Sequence, residues 1–351
     1  MTASGRIAAL LAPPLALHFT STSAQRMTVA RVEPGLNQTD GRLITANCST
    51  ARTEQNQRLR LVQYNIRGFT MPDGQSGLDA ICRSVSALQP DIVSLNEVDL
   101  RKQPQGLQTL AEASSLPHLQ FFGHVQGRYG NALLSRFPIL HTKEVHVRGG
   151  TELEWPKGSG NFRRIGRGML QVTLDVSAQS SLSPSPVSAS AGKTITVVVT
   201  HLDHMSEAQR IIQMSHVLEE MTFLKMPHIL AGDLNALLTD DYSASEWVQV
   251  EDRARQNGWT LPADAECVRL MLRQGYVDAF RALNPATSSP KFTAHTTRPM
   301  YRIDYALLSP SALQAGITVE GAFVDSTALG SDHFPLVVDL SWNGTSCRGR
   351  L

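Results

Sequence analysis

Residues 229–238 read "ILAGDLNALL", a short apolar run that leads into an acid and an amide, Asp233 and Asn235. Successive side chains of a strand point to opposite sides, so residues two apart share one face. Asp233 and Asn235 can therefore address one small target together. The same letters are also typical of a plain turn, because Asp, Asn and Gly favour turns. The stretch alone leaves both interpretations open, and the rest of the chain has to decide between them.

Composition narrows the class of protein. The chain has 351 residues, of which 42% are hydrophobic, and its formal net charge is +1. Such a chain can bury a substantial core, and its near-neutral balance excludes a strongly basic nucleic-acid coat but not a local basic groove. No apolar run approaches the roughly 18 to 20 residues of a membrane-spanning helix. We therefore expect no stable membrane insertion, and separately we expect the protein to be a monomer.

The cysteines indicate neither a metal site nor a disulfide framework. None of Cys48, Cys82, Cys267 and Cys347 forms a CxxC pair, which argues against a zinc site. Four cysteines in a chain of this length are also too few to indicate a disulfide framework. Cys82 lies in an apolar helical pattern, so we expect it to be an ordinary core thiol.

The N-terminal segment differs from the rest of the chain. Residues 7–17 are largely apolar and no acid precedes Glu33, a composition typical of an organellar or secretory leader. Pro13 and Pro14 would break a helix there, so an untargeted tail, and with it a cytoplasmic location, stays open as the alternative. We interpret residues 1–57 as a leader and disordered segment that contributes nothing to catalysis.

Regular structure is predicted from about residue 58 onward. The clearest elements are strands over 59–65, 91–98, 302–309 and 335–342, and helices over 77–88 and 206–224. Many strands with a few interleaved helices indicate a mixed α/β domain, which we place at 58–342. The Ser-, Pro- and Ala-rich stretch 177–193 predicts a mobile connection between two strands, and 343–351 forms a tail.

Polar residues occur at the ends of many predicted strands. They are Asn65, Glu97, His201, Asp233, Asn235, Asp304, Asp332 and His333. Each has an ordinary explanation by itself; a lone buried histidine, for example, is more often structural than catalytic. In α/β proteins, however, functional sites collect at strand ends, where loops converge on a rigid scaffold. So many positions together predict a single site.

The chemical types in this set indicate a class of reaction. Carboxylates and amide oxygens without thiolates suit a hard cation such as Mg²⁺, with Mn²⁺ as the alternative. Histidines beside acids suit proton transfer and the stabilisation of anions. The sequence has neither a GxxxxGKS/T loop nor a GxSxG elbow, which argues against a P-loop nucleotide hydrolase and a serine hydrolase. Metal-assisted hydrolysis of a phosphate ester remains.

Seven segments of the chain resemble the endonuclease/exonuclease/phosphatase superfamily of deoxyribonuclease-I-like metal-dependent phosphoesterases. In order they are "QYNIRG", "LNEV", "YGNALLSRFPI", "THLDH", "AGDLNA", "RIDYALLS" and "SDHFPLVVDL". The resemblance covers residues 58–342, and "GDLNA" followed by "SDHFPL" is its most specific part. It implies an α/β fold, a four-layer α/β/β/α sandwich of two packed mixed sheets flanked by helices, with the site at one edge of the sheets.

The resemblance also implies the metal ligands. Glu97 matches the principal metal-binding acid of the superfamily, and Asn65 lies beside it in the corresponding motif. Asp332 matches the acid that precedes the catalytic histidine and is often close to the metal. We therefore expect Glu97, Asn65 and Asp332 to hold Mg²⁺.

The catalytic roles follow from the same resemblance. Asp233 and Asn235 match the pair that positions water and the scissile phosphate, and His201 matches a phosphate-stabilising position. His333 matches the catalytic histidine, and Asp304 matches the acid that orients it. We predict a hydrogen bond of roughly 2.6–3.2 Å between Asp304 and His333. Whether Asp233 or His333 removes the proton from water stays open.

The substrate is less defined than the reaction. We expect Arg167 and Asn131 to bind it, and Arg163 and Arg164 near Arg167 either hold a phosphate or form a solvated loop. Nucleic acid is the first substrate class, because nucleases are widespread in the superfamily. A phosphoinositide, a phospholipid or a small phosphorylated metabolite is the alternative. A catalytically dead binding module is disfavoured by the intact set of polar residues.

Overall fold

The computed structural model of the chain describes residues 57–154, 156–177, 193–258, 261–262 and 265–342. The domain predicted at 58–342 falls almost entirely within these ranges. What the sequence predicts for the leader, the 177–193 connection and the C-terminal tail falls almost wholly on residues outside the described ones, so those predictions stay predictions.

The strands and helices alternate along the chain. The strands are β1 Gln57–Asn65, β2 Ile92–Asp99, β3 His118–Val125, β4 Tyr129–Ser135, β5 Ile139–Val147, β6 Glu152–Glu154, β7 Phe162–Arg164, β8 Arg167–Asp175, β9 Thr194–His201, β10 His228–Asp233, β11 Val277–Asp278, β12 Asp304–Leu308, β13 Ile317–Val324 and β14 Leu336–Trp342. The helices are α1 Leu78–Leu88, α2 Gly106–Ala113, α3 Glu207–Met221, α4 Ala244–Gln256, α5 Glu266–Arg273, α6 Ala279–Leu283 and α7 Pro310–Gln314. A 3-10 turn spans Thr239–Asp241.

Two six-stranded sheets contain most of the strands. The first sheet has the order β13-β14-β1-β2-β4-β3 and the second has the order β11-β12-β10-β9-β8-β5. Each sheet is mixed: β1 runs parallel to β2, and β10 runs parallel to β9, while their other neighbours are antiparallel. Strands β6 and β7 form a separate hairpin between β5 and β8.

Alternation along the strands separates three apolar cores. In β1, Leu59 and Leu61 belong to the core between the two sheets, whereas Val62 and Tyr64 pack with α1 and α2. The second sheet follows the same rule and packs its other face against α3 and α5. This arrangement follows from the two-residue period of a strand. The predicted four-layer α/β/β/α sandwich is confirmed.

The flanking helices follow from their apolar spacing. Helix α1 buries Ile81, Cys82, Val85 and Leu88 on one face, so the sequence prediction of a helix and of a core thiol at Cys82 is confirmed. Ser206 caps α3, where its side chain accepts a hydrogen bond from a backbone N–H of the first turn. Among the described helices, none combines the length and the apolar character that crossing a membrane needs.

The rows of side chains between the sheets change from apolar to polar along their strands. In β1, Leu61 is followed on the same face by Gln63 and Asn65, and in β10, Ala231 is followed by Asp233. In β9 and β12 the side chains between the sheets likewise change from apolar to polar toward the same end of the sandwich. The sandwich therefore has a dry end filled by aliphatic side chains and a polar end where the predicted site residues meet.

Candidate active site

The opening stretch is both a strand end and a turn. Asp233 is the last residue of β10, and the chain leaves the strand through Asn235, whose φ is +50°. The backbone N–H of Asn235 donates to Asp233 Oδ1 at 2.9 Å, a local turn closed by an acidic side chain. The two interpretations that the sequence left open are therefore compatible, because the turn brings both side chains to the edge of the sheet.

Three strands of the second sheet place an acid, a histidine and a second acid side by side. Asp233 pairs in register with His201 of β9 and with Asp304 of β12. All three are buried, and Asp233 Oδ2 lies 3.6 Å from His201 Nε2. Pairing across the sheet therefore brings together residues that are about 30 to 100 positions apart in sequence.

An amide of the first sheet joins two of the acids. Asn65 Nδ2 donates to Glu97 Oε1 at 3.0 Å and to Asp233 Oδ2 at 2.9 Å. Its Oδ1 accepts from the backbone N–H of Arg67 at 3.0 Å. In this orientation the amide nitrogen, not the oxygen, faces the acids. Asn65 therefore lies beside Glu97 as predicted, but it bridges carboxylates in this structure, and its predicted metal contact stays a prediction.

A bulge aims Glu97 at the site. The pairing of β2 with β4 shifts between Leu95 and Val98, and Glu97 has a φ of +57°. In a regular strand Glu97 would share the face of Leu95, which packs in the helix-covered core. The bulge instead turns the Glu97 carboxylate toward Asn65. Backbone strain of this kind is common at functional sites and is held in place by the surrounding structure.

His333 and Asp304 are in direct contact. His333 Nδ1 lies 2.8 Å from Asp304 Oδ2, so the hydrogen bond predicted from the sequence is confirmed, while its role in the reaction stays a prediction. Arg302, two residues before Asp304 in the sequence, does not pair with it, because the Arg302 guanidinium donates to Asp241 at 2.7 Å and to Asp278 at 2.6 Å.

The charges at this end of the sheets shift the pKa values of two neighbours. Burial and then the charge of Asp304 raise the pKa of Asp233 to about 7, despite the opposing effect of His333. Burial by itself would lower the pKa of His333, but the contact with Asp304 and the charges of Asp233 and Asp332 raise it to about 10. These charges therefore favour the protonated, cationic form of the imidazole and raise the proton affinity of the Asp233 carboxylate.

Asp332 stands apart from the other predicted metal ligands. Its carboxylate lies 3.4 Å from Arg67 Nε and 3.9 Å from His295 Nδ1. Within the described residues, the acid and histidine groups close enough to share one ion are Glu97, His201 and Asp233, and Asp233, Asp304 and His333. Neither group contains Asp332, so its predicted metal contact also stays a prediction.

The two predicted substrate-binding residues lie in different places. Arg167, at the start of β8, is only 4% exposed and reaches His201 Nδ1 with Nη1 at 3.1 Å. Arg163 and Arg164 are exposed on β7, which fits the solvated-loop interpretation for those two.

Asn131 is fully buried, accepts from Asn96 at 3.0 Å and donates to the Gly168 carbonyl at 2.8 Å. Both ends of the Asn131 amide are thus bonded within the protein, and its predicted contact with substrate stays a prediction.

Asn131 belongs to a chain of buried amides between the sheets. Asn96 Oδ1 accepts from Gln63 Nε2 at 2.7 Å and from the backbone N–H of Asp233 at 2.8 Å. Asn96 Nδ2 donates to Asn131 and, at 3.0 Å, to the Thr200 carbonyl. Asn96 thus uses all of its main hydrogen-bonding positions to fix the ends of β9 and β10 relative to the first sheet.

We expect Asn96→Ala to lower the free energy of unfolding by about 3 kcal/mol, because it leaves several buried donors and acceptors without partners. Urea unfolding measures the change. Asn161→Ala is the matched control, since Asn161 is an exposed residue of the β6–β7 connection. A loss for Asn96→Ala no larger than that of the control would show that the amide chain does not stabilise the fold.

Comparison with protein-family models assigns the chain to a family. The model of the Endonuclease/Exonuclease/phosphatase family matches residues 62–333, more than half of the chain. The chain belongs to this family. The resemblance seen in the sequence motifs is thereby confirmed.

Solved structures of the family share the fold. The chain resembles an endonuclease/exonuclease/phosphatase of Beutenbergia cavernae, with a TM-score of 0.56, 24% identity, and coverage of 82% of this chain and 72% of the other. It also resembles the catalytic domain of human Nocturnin, with a TM-score of 0.54, 20% identity, and coverage of 81% and 94%. Identities this low support the fold alone.

One curated relative is more similar over a short region. A Drosophila melanogaster protein, provisionally named as a neutral sphingomyelinase, is 36% identical over 86 residues. The match covers 24% of this chain and 19% of the relative, so the chain spans about a fifth of the length of that protein.

Sequence reasoning missed several residues of this family member's site. Gln63 and Asn96 lie under it, and His204 lies beside Arg167, with Nδ1 at 3.3 Å from Nη2. Burial and then the charge of Arg167 lower the pKa of both His201 and His204. A second histidine in "THLDH" and an amide next to the acid in "LNEV" are the signals that point to His204 and Asn96.

Proposed function

We propose that this chain is a divalent-metal-dependent phosphodiesterase that directs water at phosphorus, with nucleic acid as its first substrate class. One observation carries the proposal. The carboxylates of Glu97 and Asp233 share the Asn65 amide and adjoin the His333–Asp304 pair. Members of the family hydrolyse phosphoesters, and an oxygen-rich cluster beside a charged histidine suits that chemistry.

The donor set fits a hard divalent cation. Glu97 and Asp233 offer carboxylate oxygens within reach of one ion. Of the cysteines in the described residues, neither Cys82 nor Cys267 belongs to this group. Glu97 would hold Mg²⁺ with Asp233 beside it, and the ion would supply Lewis acidity toward the phosphoryl group and the leaving oxygen. Burial and then the charge of Asp304 raise the pKa of Asp233, so its carboxyl is a better proton acceptor than an exposed aspartate.

The pKa shifts divide the proton chemistry between two residues. Asp233, with a pKa raised to about 7, is suited to accept a proton from the attacking water. His333 is held as a cation by Asp304, and its Nε2 lies 3.8 Å from Asp233 Oδ2. We assign the base to Asp233 and the stabilisation of phosphoryl negative charge to His333. Asn235, half-buried at the edge of the site, supplies an amide donor to the same phosphate.

A phospholipid head group is the second candidate substrate, and exposed apolar residues of the second-sheet side favour it. Met205 is 49% exposed next to His204, and Phe162 is 66% exposed on the β6–β7 hairpin. A cleft of about 540 Å³ opens between that hairpin and the start of α3. Exposed apolar side chains of this kind suit a substrate with an acyl chain. The short match to the Drosophila protein supports the same candidate.

An activity panel tests the proposal. We expect full-length protein to hydrolyse a phosphodiester with Mg²⁺, to lose at least about 100-fold of its rate in excess EDTA, and to regain it with Mg²⁺ or Mn²⁺. Single-stranded and duplex DNA, RNA, sphingomyelin vesicles and an inositol polyphosphate separate the substrate classes. Activity on sphingomyelin alone would replace the first substrate class by the second. Full activity in EDTA, or none on any phosphoester, would reject the proposed reaction.

A further inference from the structure

Tyr129 ends the row of β4 side chains that face the second sheet. In this row, Leu133 belongs to the core between the sheets, and Asn131, two residues earlier, donates to the Gly168 carbonyl of the second sheet. Tyr129 is two residues earlier again, so it lies on the same face of β4, at the polar end. It is half-buried there. Tyr129 therefore belongs to the site by its position in the strand.

The bulge of β2 brings Glu97 next to this row. Where the pairing of β2 with β4 is irregular, Asn96 and Glu97 together oppose the single residue Asn131. Tyr129 is the next residue of β4 on that face. Its hydroxyl lies within hydrogen-bonding reach of the Glu97 carboxylate. A phenol carries its proton at neutral pH, so the hydroxyl donates and the carboxylate accepts.

The orientation of Glu97 depends on donors of this kind. Its φ of +57° is uncommon for a residue with a side chain, so surrounding contacts have to hold this conformation. Asn65 Nδ2 donates to Glu97 at 3.0 Å and also to Asp233 at 2.9 Å, so one amide group is shared by two carboxylates. Strand β2 lies between β1, which carries Asn65, and β4, which carries Tyr129. The two donors therefore come from the two strands that flank Glu97.

The ring of Tyr129 is itself packed in place. The His124 ring of β3 lies edge-to-face against it, with 6.1 Å between the ring centres and 78° between the planes. His124 is 6% exposed, and within the described residues neither of its ring nitrogens has a hydrogen-bond partner. Burial and then the charge of Arg167 lower the pKa of His124 to about 3, so the ring is neutral and packs as an aromatic group. A Cβ added at Gly168 would lie 2.7 Å from this ring, so the packing is tight.

We propose that Tyr129 is a positioning residue that, together with Asn65, holds the Glu97 carboxylate in the orientation that binds the divalent cation. The hydroxyl acts through Glu97 and not on the substrate. This inference rests on the proposed function, because it requires a cation at Glu97. Groups that orient a metal ligand typically contribute roughly 10- to 100-fold in metal affinity or activity.

Binding of Mn²⁺ to the substrate-free, full-length protein tests the positioning role, with free Mn²⁺ measured by its EPR signal. Tyr129→Phe removes the hydroxyl and keeps the ring, and it is expected to raise the Kd of Mn²⁺ about tenfold. In phosphodiester hydrolysis, the Mg²⁺ concentration that gives half of the maximal rate should rise by about the same factor. At saturating Mg²⁺, kcat should stay within about threefold of wild type, because the bound ion then holds the carboxylate itself.

Tyr276→Phe is the matched control. It also removes a buried hydroxyl that has a hydrogen-bond partner, since Tyr276 Oη lies 2.6 Å from His228 Nε2. His228 begins β10, whereas Asp233 ends it, so this hydroxyl lies at the dry end of the sheets. The Kd of Mn²⁺ in Tyr276→Phe should equal that of the wild type.

The possible results separate the inference from the proposed function. An unchanged Kd of Mn²⁺ in Tyr129→Phe, or an equal rise in Tyr276→Phe, would overturn the inference while leaving phosphoester hydrolysis by the wild type intact. A lower kcat at saturating Mg²⁺ with unchanged Mn²⁺ affinity would also overturn it, because the hydroxyl would then act on the substrate. If the wild type binds Mn²⁺ through Tyr129 as expected but cleaves no phosphoester, the inference stands and the proposed function fails. Absence of Mn²⁺ binding by the wild type would reject both.

Discussion

Glu97→Gln is expected to lower kcat/KM by about 1000-fold, because the lost charge corresponds to several kcal/mol of metal-mediated stabilisation of the transition state. The substitution keeps the shape of the side chain and an oxygen for the Asn65 amide, whose Nδ2 lies 3.0 Å from Glu97 Oε1. It also removes one negative charge from a crowded group of acids. We therefore expect the free energy of unfolding, measured with urea, to change by less than about 1 kcal/mol.

A matched substitution separates this effect from a general loss of acid. Glu112→Gln makes the same chemical change on α2, where Glu112 accepts from Gln108 on an exposed helix face. Its kcat/KM should equal that of the wild type. Near-full turnover of Glu97→Gln at saturating Mg²⁺ would remove Glu97 from the metal site, and a large loss of stability would show that it is structural.

The second large effect is expected at the His333–Asp304 pair. His333→Ala should lower kcat about 1000-fold, and Asp304→Asn at least tenfold, which is about 1.4 kcal/mol of transition-state stabilisation. In Asp304→Asn, an amide replaces the carboxylate 2.8 Å from His333 Nδ1. The imidazolium loses its closest counter-charge, so its pKa should fall from the raised value, which ring NMR can measure.

Double-mutant kinetics decide whether the two residues form one unit. If they do, the combined variant should lose much less than the product of the two single losses. Asp339→Asn is the control, because Asp339 lies away from the polar end of the sheets. Its Oδ1 pairs with Arg60 Nε of β1 at 2.6 Å. Fully multiplicative losses would leave Asp304 a structural acid.

Much of the fold was predictable because it depends on local patterns. The two-residue alternation of 59–65 and the helical spacing of 77–88 predict β1 and α1 to within two residues. The contact between Asp304 and His333 was predictable as well, since a buried acid needs a partner and the sequence motif supplied one.

The parts that were not predictable depend on contacts across the sheets. A strand pattern in "IVSLNEV" does not reveal the bulge at Glu97, because the bulge exists only relative to β4. Asn131 is of a residue type that often binds substrates, yet its hydrogen-bond partners are Asn96 and the Gly168 carbonyl of the opposite sheet. His204 gains its significance from Arg167, which is 37 positions earlier. No local pattern contains these distances.

The change from aliphatic to polar side chains along each row between the sheets has a consequence for rate and for stability. At the polar end, the dipoles and charges are set during folding and do not have to reorganise when charge develops on a substrate. The adjoining aliphatic core keeps solvent from reaching them from behind, so they act in a medium of low dielectric constant. The same arrangement has a cost for stability, because buried acids contribute less to folding than well-packed leucine and valine would at the same positions.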